Sequence, residues 1–193
     1  MYIIRVVKGT PHTMIKTLLS VLALTSLTTP VLAQSNMAQH QQLWNAVEST
    51  GVDIRVNENK DCNPDYNNGK TFYGWYHGPK RALVVCQEVA LDSGVYGRGQ
   101  GEWSEEDLDT LRHEAHHLVQ DCMDDVLDQE LVPVYTKPLD LALDILGKEG
   151  ALGVVRSYKD SSEHVQVLEL EAFSVAEMND PQEQVRDIKK YCF

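Results

Sequence analysis

Residues 111–122 have the sequence LRHEAHHLVQDC, which places three histidines and a glutamate within five consecutive positions. Leu111, Ala115, Leu118 and Val119 recur at the spacing of three and four residues that is typical of an amphipathic helix. Side chains four residues apart lie on one face of a helix, so the first and last histidines point the same way. The stretch therefore predicts a helix with a buried apolar face and two imidazoles that converge.

His113, Glu114 and His117 form the motif H-E-x-x-H. Two neutral imidazoles at this spacing can bind Zn2+, and the glutamate beside the first can act as general base toward a metal-activated water. His116 allows a second pairing with His113, three residues away. Because Glu114 lies on the His117 side of the helix, His113 and His117 are the favoured ligands. His116 is then expected beside them or at the surface.

The rest of the chain predicts strands before this helix and helices after it. A short helix is expected at 39–48, and strands at 52–57, 71–77 and 81–87. Ser104 is a favourable N-cap for the histidine helix, and further helices are expected at 138–148, 163–178 and 181–191. The sequence thus predicts one α+β domain at 34–193, in which a small antiparallel sheet precedes a helical half.

Two histidines leave a tetrahedral zinc ion short of a protein ligand. Gln120 and Met123 stand where a metzincin continuation would require glycine and histidine, so a later helix is expected to supply the third ligand. Residues 165–178, VQVLELEAFSVAEM, contain Glu169, Ala172 and Ala176 in the pattern E-x-x-A-x-x-x-A. With H-E-x-x-H, this pattern resembles the gluzincin metallopeptidases, whose third ligand is a glutamate on a downstream helix.

Two glutamates compete for the role of third ligand. Glu169 lies close to the apolar face of its predicted helix, and the small Ala172 and Ala176 would let two helices approach closely. A thermolysin-like alignment of EAFS would instead select Glu171, at the margin of that face. Glu169 is the favoured ligand, and Glu171 is the alternative.

The gluzincin resemblance implies a zincin-like fold and a zinc-dependent endopeptidase that hydrolyses peptide bonds, with Glu114 as the catalytic residue. It also implies a strand beside the cleft on which a peptide or protein substrate adds. Residues 81–87 are the expected segment, and an interior core strand is the alternative. Two other functions stay open: a zinc-binding protein without peptidase activity, and a metal-free, disulfide-bonded binding or inhibitor domain.

Other roles around the site are less constrained by the sequence. His164, Tyr135 and Tyr158 are possible donors to the oxyanion that forms during peptide hydrolysis. Asp121, one turn beyond His117, is a candidate partner for the ligand imidazoles.

Residues 14–33, MIKTLLSVLALTSLTTPVLA, have the features of a signal peptide. Lys16 gives a basic start, an apolar run follows, and the small residues before position 34 predict cleavage after Ala33. Met14 is a possible true start. A membrane anchor is the competing interpretation, but the run is short and rich in threonine for a span of about 20 residues. The expected location is secreted or periplasmic, with no stable anchor after cleavage.

Charge and cysteine content agree with export. Removing residues 1–33 takes away three of 17 basic residues and no acid, which leaves 14 basic and 29 acidic residues and a net charge of −15. Such a surface repels a phosphate backbone, so nucleic acid is not an expected partner. The four cysteines allow three pairings, and their proximity along the chain favours Cys62–Cys86 and Cys122–Cys192.

Overall fold

The computed structural model of the chain describes residues 3–4, 31–97, 99–124 and 127–193. Most of the predicted signal peptide, residues 1–33, therefore lies outside the described residues. In chain order the strands and α-helices are β1 (Ile3–Ile4), α1 (Val31–Ser49), β2 (Asp53–Val56), α2 (Asn59–Cys62), β3 (Gly74–His77), β4 (Ala82–Val85), α3 (Glu88–Ser93), α4 (Glu105–Asp121), α5 (Pro138–Ile145), α6 (Gly147–Ser157), α7 (Glu163–Glu177) and α8 (Pro181–Tyr191).

The predicted α+β class is confirmed, but the sheet is mixed rather than antiparallel. Its strand order is β1-β3-β4-β2. β3 pairs antiparallel with both β1 and β4, whereas β2 pairs parallel with β4. Because a parallel pair needs a crossover, the chain from β2 passes through α2 and β3 before it returns as β4.

β4 is an interior strand, so the expectation that residues 81–87 form the edge that meets substrate is wrong. All four of its residues, ALVV, are buried. An unbroken apolar run of this kind is typical of a strand covered on both faces.

The histidine helix, α4, lies at the centre of the fold. It packs on β3 and β4 on one side and against α1, α7 and α8 on the others. Every residue from 110 to 121 is buried, including eight polar or charged ones. Burial of polar groups costs free energy unless each one has a hydrogen-bonding partner. The elements around α4 must therefore supply those partners.

The helical half differs from the sequence prediction in one place. The predicted helix at 138–148, with Gly147 or Gly150 as its expected end, is α5, whereas the separate helix α6 that follows it was not predicted. Gly147 has a φ of 67°, a backbone conformation that glycine adopts without strain and that interrupts a continuous helix. Both helices pack against α7.

Both predicted disulfides are confirmed. Cys62–Cys86 joins α2 to the end of β4, and Cys122–Cys192 joins the end of α4 to the end of α8. The second bridge fixes the C-terminal end of the histidine helix. Within the described part of the chain, no helix combines the length and the apolar character needed to cross a membrane.

Gly74 on β3 allows α4 to approach the sheet, which gives a first prediction. A Cβ atom at Gly74 would lie 2.6 Å from Thr110 Cγ2, 2.8 Å from the Val84 carbonyl oxygen and 3.0 Å from Glu114 Cγ. We expect Gly74→Ala to lower the free energy of unfolding by about 1–3 kcal/mol through overpacking. Urea unfolding followed by circular dichroism measures this change.

Gly153 provides the matched control, because it lies within α6 and a Cβ there meets nothing within 4 Å. Gly153→Ala should raise the free energy of unfolding by about 0.5–1 kcal/mol, the ordinary difference in helix propensity. Equal stability of Gly74→Ala and the wild type would contradict the close contact between α4 and β3.

Candidate metal centre

The sequence around Ser104 fixes where α4 begins. The Ser104 hydroxyl accepts a hydrogen bond from the Asp107 amide, and the Asp107 carboxylate accepts one from the Ser104 amide. This capping box satisfies two backbone groups that the first turn would otherwise leave open. Asp107 also accepts a hydrogen bond from the Glu88 amide, which ties the start of α4 to α3. The cap therefore fixes the residue at which α4 begins and its attachment to α3.

His113, His117 and Glu169 come together at one point between α4 and α7. The Nε2 atoms of His113 and His117 are 3.1 Å apart. Glu169 Oε2 lies 3.3 Å from His113 Nε2, and Glu169 Oε1 lies 3.7 Å from His117 Nε2. Each residue offers one ligand atom, and the three atoms lie within 4.8 Å of one another. These residues could hold a metal ion.

The chemistry of the three donors suits a cation. Burial lowers the pKa of His117 to about 4, so its imidazole is neutral at pH 7 and keeps a lone pair. Two imidazole nitrogens and a carboxylate oxygen form a donor set that transition metals accept. All three side chains are fully buried, so the group is a structured part of the protein interior.

α7, which carries Glu169, packs against α4 and has small buried residues. Ala172 and Ala176 are fully buried, as is Ala115 on α4. The Arg112 guanidinium of α4 donates a hydrogen bond to the Ala176 carbonyl at 2.9 Å. Phe173 lies one turn after Glu169 and forms one wall of the site. The centroids of the Phe173 and His113 rings are 4.4 Å apart.

Glu171, the alternative third ligand, lies elsewhere. Its Oε1 accepts hydrogen bonds from His116 Nε2 at 2.8 Å, Gln120 Nε2 at 3.0 Å and the Val134 amide at 2.9 Å. Its Oε2 accepts one from the Tyr135 amide at 3.0 Å. Burial alone would raise the pKa of Glu171, but the hydrogen bonds, with His116 foremost, outweigh burial and leave the pKa below its ordinary value.

The structure gives His116 a different place from His117. Its side chain is fully buried and pairs with Glu171, so a surface position for His116 is wrong. Glu114, the predicted general base, is also fully buried, and its Cγ lies close to Gly74 on β3. The two ends of the motif therefore face α7, while Glu114 faces the sheet.

Asp121, the candidate partner of the ligand imidazoles, makes its hydrogen bonds to other residues. The Asp121 carboxylate accepts hydrogen bonds from the Tyr76 hydroxyl and the Gln129 amide, and so anchors the end of α4 to β3. The partner of His117 is Gln120, whose Oε1 lies 2.7 Å from His117 Nδ1. The spacing of three residues on one helix face was the signal that could have identified Gln120.

The three predicted oxyanion donors are dispersed. His164 Nε2 lies 2.9 Å from the Leu131 carbonyl, to which it can donate. The Tyr135 ring lies 6.3 Å from the His116 ring. The Tyr158 ring lies 6.4 Å from Phe173, which in turn contacts His113. Tyr158 is therefore the candidate that neighbours the wall of the metal group.

Fold and site together define an α+β domain with a buried histidine–glutamate group that could hold a metal ion. The chain belongs to the DUF8637 family, described as a domain of unknown function, whose family model matches residues 31–193. No curated protein and no solved structure matches the chain.

The two buried glutamates of α7 allow a matched test of the ligand set. Glu169→Gln replaces a ligand carboxylate, so we expect metal affinity to fall more than about 100-fold, beyond the range for residues that only support ligands. Glu171→Gln should weaken metal binding at most about tenfold. Glu171→Gln should still lower the free energy of unfolding by about 2–3 kcal/mol. The amide nitrogen of the new glutamine would replace an acceptor oxygen and face a buried N–H donor.

Competition with a chromophoric chelator measures the affinities, and thermal unfolding measures the stabilities. Loss of metal binding in Glu171→Gln with retention in Glu169→Gln would reverse the assignment of the third ligand.

Proposed function

We propose that this protein is an exported, zinc-dependent metallopeptidase. The observation that carries the proposal is the meeting of two histidines from one helix with a glutamate from another. Glu114 stands between these two histidines in the H-E-x-x-H motif. His113, His117 and Glu169 would hold Zn2+. Three protein ligands leave one tetrahedral position open, which is the arrangement of catalytic rather than structural zinc sites.

Zinc, when bound, supplies Lewis-acid chemistry that acidifies water and polarises a carbonyl. Glu114 supplies the proton transfers. Its carboxylate takes a proton from the attacking water and passes it to the nitrogen of the leaving amine. The contact of Glu114 with Gly74 would hold the carboxylate in place relative to β3.

β3, rather than the interior β4, is the strand on which we propose that substrate adds. One side of β3 pairs with β4, and its other side pairs antiparallel with Ile3 and Ile4 of the expected signal peptide. That pairing supports the idea that the outer side of β3 accepts an extended segment. A peptide bound there would form main-chain hydrogen bonds that make little demand on its sequence.

A closed structural zinc site is the main competing function, and one observation disfavours it. Such a site needs four protein ligands, and His116 is the nearest further histidine in the sequence. His116 Nε2 instead lies 2.8 Å from the Glu171 carboxylate. A metal-free binding or inhibitor domain is disfavoured by the group itself, since two imidazole nitrogens and a carboxylate oxygen within 4.8 Å of one another are a donor set that a metal ion accepts.

Export is supported by two observations. Disulfides persist in oxidising compartments, and the structure contains two of them. The family model begins at residue 31, close to the predicted cleavage after Ala33.

Glu114→Gln tests the proposed chemistry. We expect the variant to keep its zinc but to lose about 10²–10⁴-fold in peptide cleavage, because an amide cannot act as general base. Cleavage is measured by mass spectrometry of a mixed peptide library, and zinc content by atomic emission. Glu105→Gln, an exposed change in the first turn of α4, is the matched control and should cleave at the wild-type rate.

Two outcomes count against the proposal. Undiminished cleavage by Glu114→Gln would remove Glu114 from the mechanism. A zinc-loaded wild-type protein that cleaves no peptide in the library would favour the zinc-binding role without peptidase activity.

A further inference from the structure

Gln120 makes three hydrogen bonds at the junction of α4 and α7 and is fully buried. Its Oε1 lies 2.7 Å from His117 Nδ1. Its Nε2 lies 3.1 Å from the Leu168 carbonyl oxygen and 3.0 Å from Glu171 Oε1. Both hydrogens of the amide and one lone pair of its oxygen are therefore used.

These partners determine which way the amide faces. A backbone carbonyl can only accept hydrogen bonds, and Glu171 Oε1 already accepts one from the Val134 amide, so the amide nitrogen of Gln120 must point toward both oxygens. Its oxygen then points toward His117 and can only accept, so His117 Nδ1 must carry the proton. The remaining ring nitrogen, Nε2, is left with its lone pair, and Nε2 is the atom that faces His113 and Glu169.

Gln120 also reaches the second ligand helix next to the metal group. Leu168, whose carbonyl accepts from Gln120, immediately precedes Glu169 on α7. One side chain therefore contacts the ring of one candidate ligand and the backbone beside another. A small displacement of Gln120 would change both positions together.

Glu171 and His116 hold Gln120 in this orientation. The Glu171 carboxylate also accepts hydrogen bonds from His116 and from the backbone amides of Val134 and Tyr135. Reversing the Gln120 amide would place its oxygen against this carboxylate. The cost of two buried acceptors facing each other excludes that orientation.

We propose that Gln120 is a positioning residue that fixes His117 in its Nδ1–H tautomer and holds it in register with Glu169. The consequence for zinc binding rests on the proposed function. The orientation of Gln120 and the tautomer of His117 are properties of the metal-free protein. Residues that hold ligand imidazoles in this way commonly contribute 10–100-fold to metal affinity.

The first test is the tautomer of His117 in the metal-free protein. Long-range proton–nitrogen correlation spectra of histidine-labelled protein near neutral pH distinguish a protonated from an unprotonated ring nitrogen, and His117→Gln identifies the signals. We expect Nδ1 of His117 to be protonated and Nε2 to be bare. A proton on Nε2 of His117 would overturn the proposal, whatever zinc does.

The second test is zinc affinity in two matched variants. Gln120→Met keeps the length of the side chain but removes the amide, and should weaken Zn2+ binding about 10–100-fold in chelator competition. Gln87→Met removes another fully buried glutamine amide, whose oxygen accepts hydrogen bonds from the Asn57 side chain and the Gly101 amide. It should bind Zn2+ within about threefold of the wild type, as expected where no ligand is contacted.

Failure of this inference is distinguishable from failure of the proposed function. Equal affinities of Gln120→Met and the wild type would overturn the positioning role and leave the peptidase proposal intact. Wild-type protein that binds no Zn2+ would overturn the peptidase proposal, while the tautomer measurement would still decide the orientation of His117. Thermal unfolding of both variants shows whether a loss of affinity reflects a loss of fold.

Discussion

The fold depends on satisfying the polar side chains of a helix that is buried along most of its length. α4 is buried along residues 110–121, and that stretch includes three histidines, a glutamate, an arginine and a glutamine. An apolar neighbour would leave these groups without partners, at a cost of about 1–3 kcal/mol for each neutral group and more for a charged one. α7 provides partners for these groups. They are the carboxylates of Glu169 and Glu171 and the backbone carbonyls of Leu168 and Ala176. The pairing of α4 with α7 is therefore a condition of folding as well as the source of the site.

The other side of α4 meets the opposite requirement, which is close apolar contact. β3 offers Gly74 where Thr110 and Glu114 press against the sheet, and interior β4 adds four buried apolar residues. Tyr76 of β3 donates a hydrogen bond to Asp121 at the far end of the helix. Polar recognition on one side and steric fit on the other together leave α4 little freedom to rotate or slide. A metal group assembled from two helices needs this constraint, because its ligand atoms must meet within a few tenths of an ångström.

Local sequence signals were enough for the elements that build the site. The N-cap residue Ser104 and the proline at position 181 marked the starts of α4 and α8, and apolar periodicity marked α7. Helix α6 was not predicted, because Gly147 and Gly150 indicated the end of the preceding helix rather than the beginning of another. The order of the strands also could not be predicted, since the parallel pairing of β2 with β4 depends on contacts far apart in the chain.

Contacts between distant parts of the chain also limited the prediction of single site residues. The spacing of His113 and His117 predicted that they share a face, because both lie on one helix. Glu169 and Glu171 could not be separated so firmly, because they are two residues apart and the choice depends on how α7 is rotated against α4. Asp121 was the wrong partner for the imidazoles because its position suggested proximity, whereas Tyr76 and Gln129 on other elements occupy its carboxylate.

The two disulfides impose an order on maturation as the chain emerges from its N-terminal end. Cys62 and Cys86 are 24 residues apart, so their bridge can close as soon as β4 has been made. Cys122 must wait for Cys192, 70 residues later, and until then it is an unpaired thiol at the end of α4. An early bridge between Cys62 and Cys86 leaves Cys122 no local competitor for mispairing. Early closure of the Cys62–Cys86 loop thus prevents its cysteines from mispairing with Cys122. The Cys122–Cys192 bridge at the end of the histidine helix is the second of the two to form.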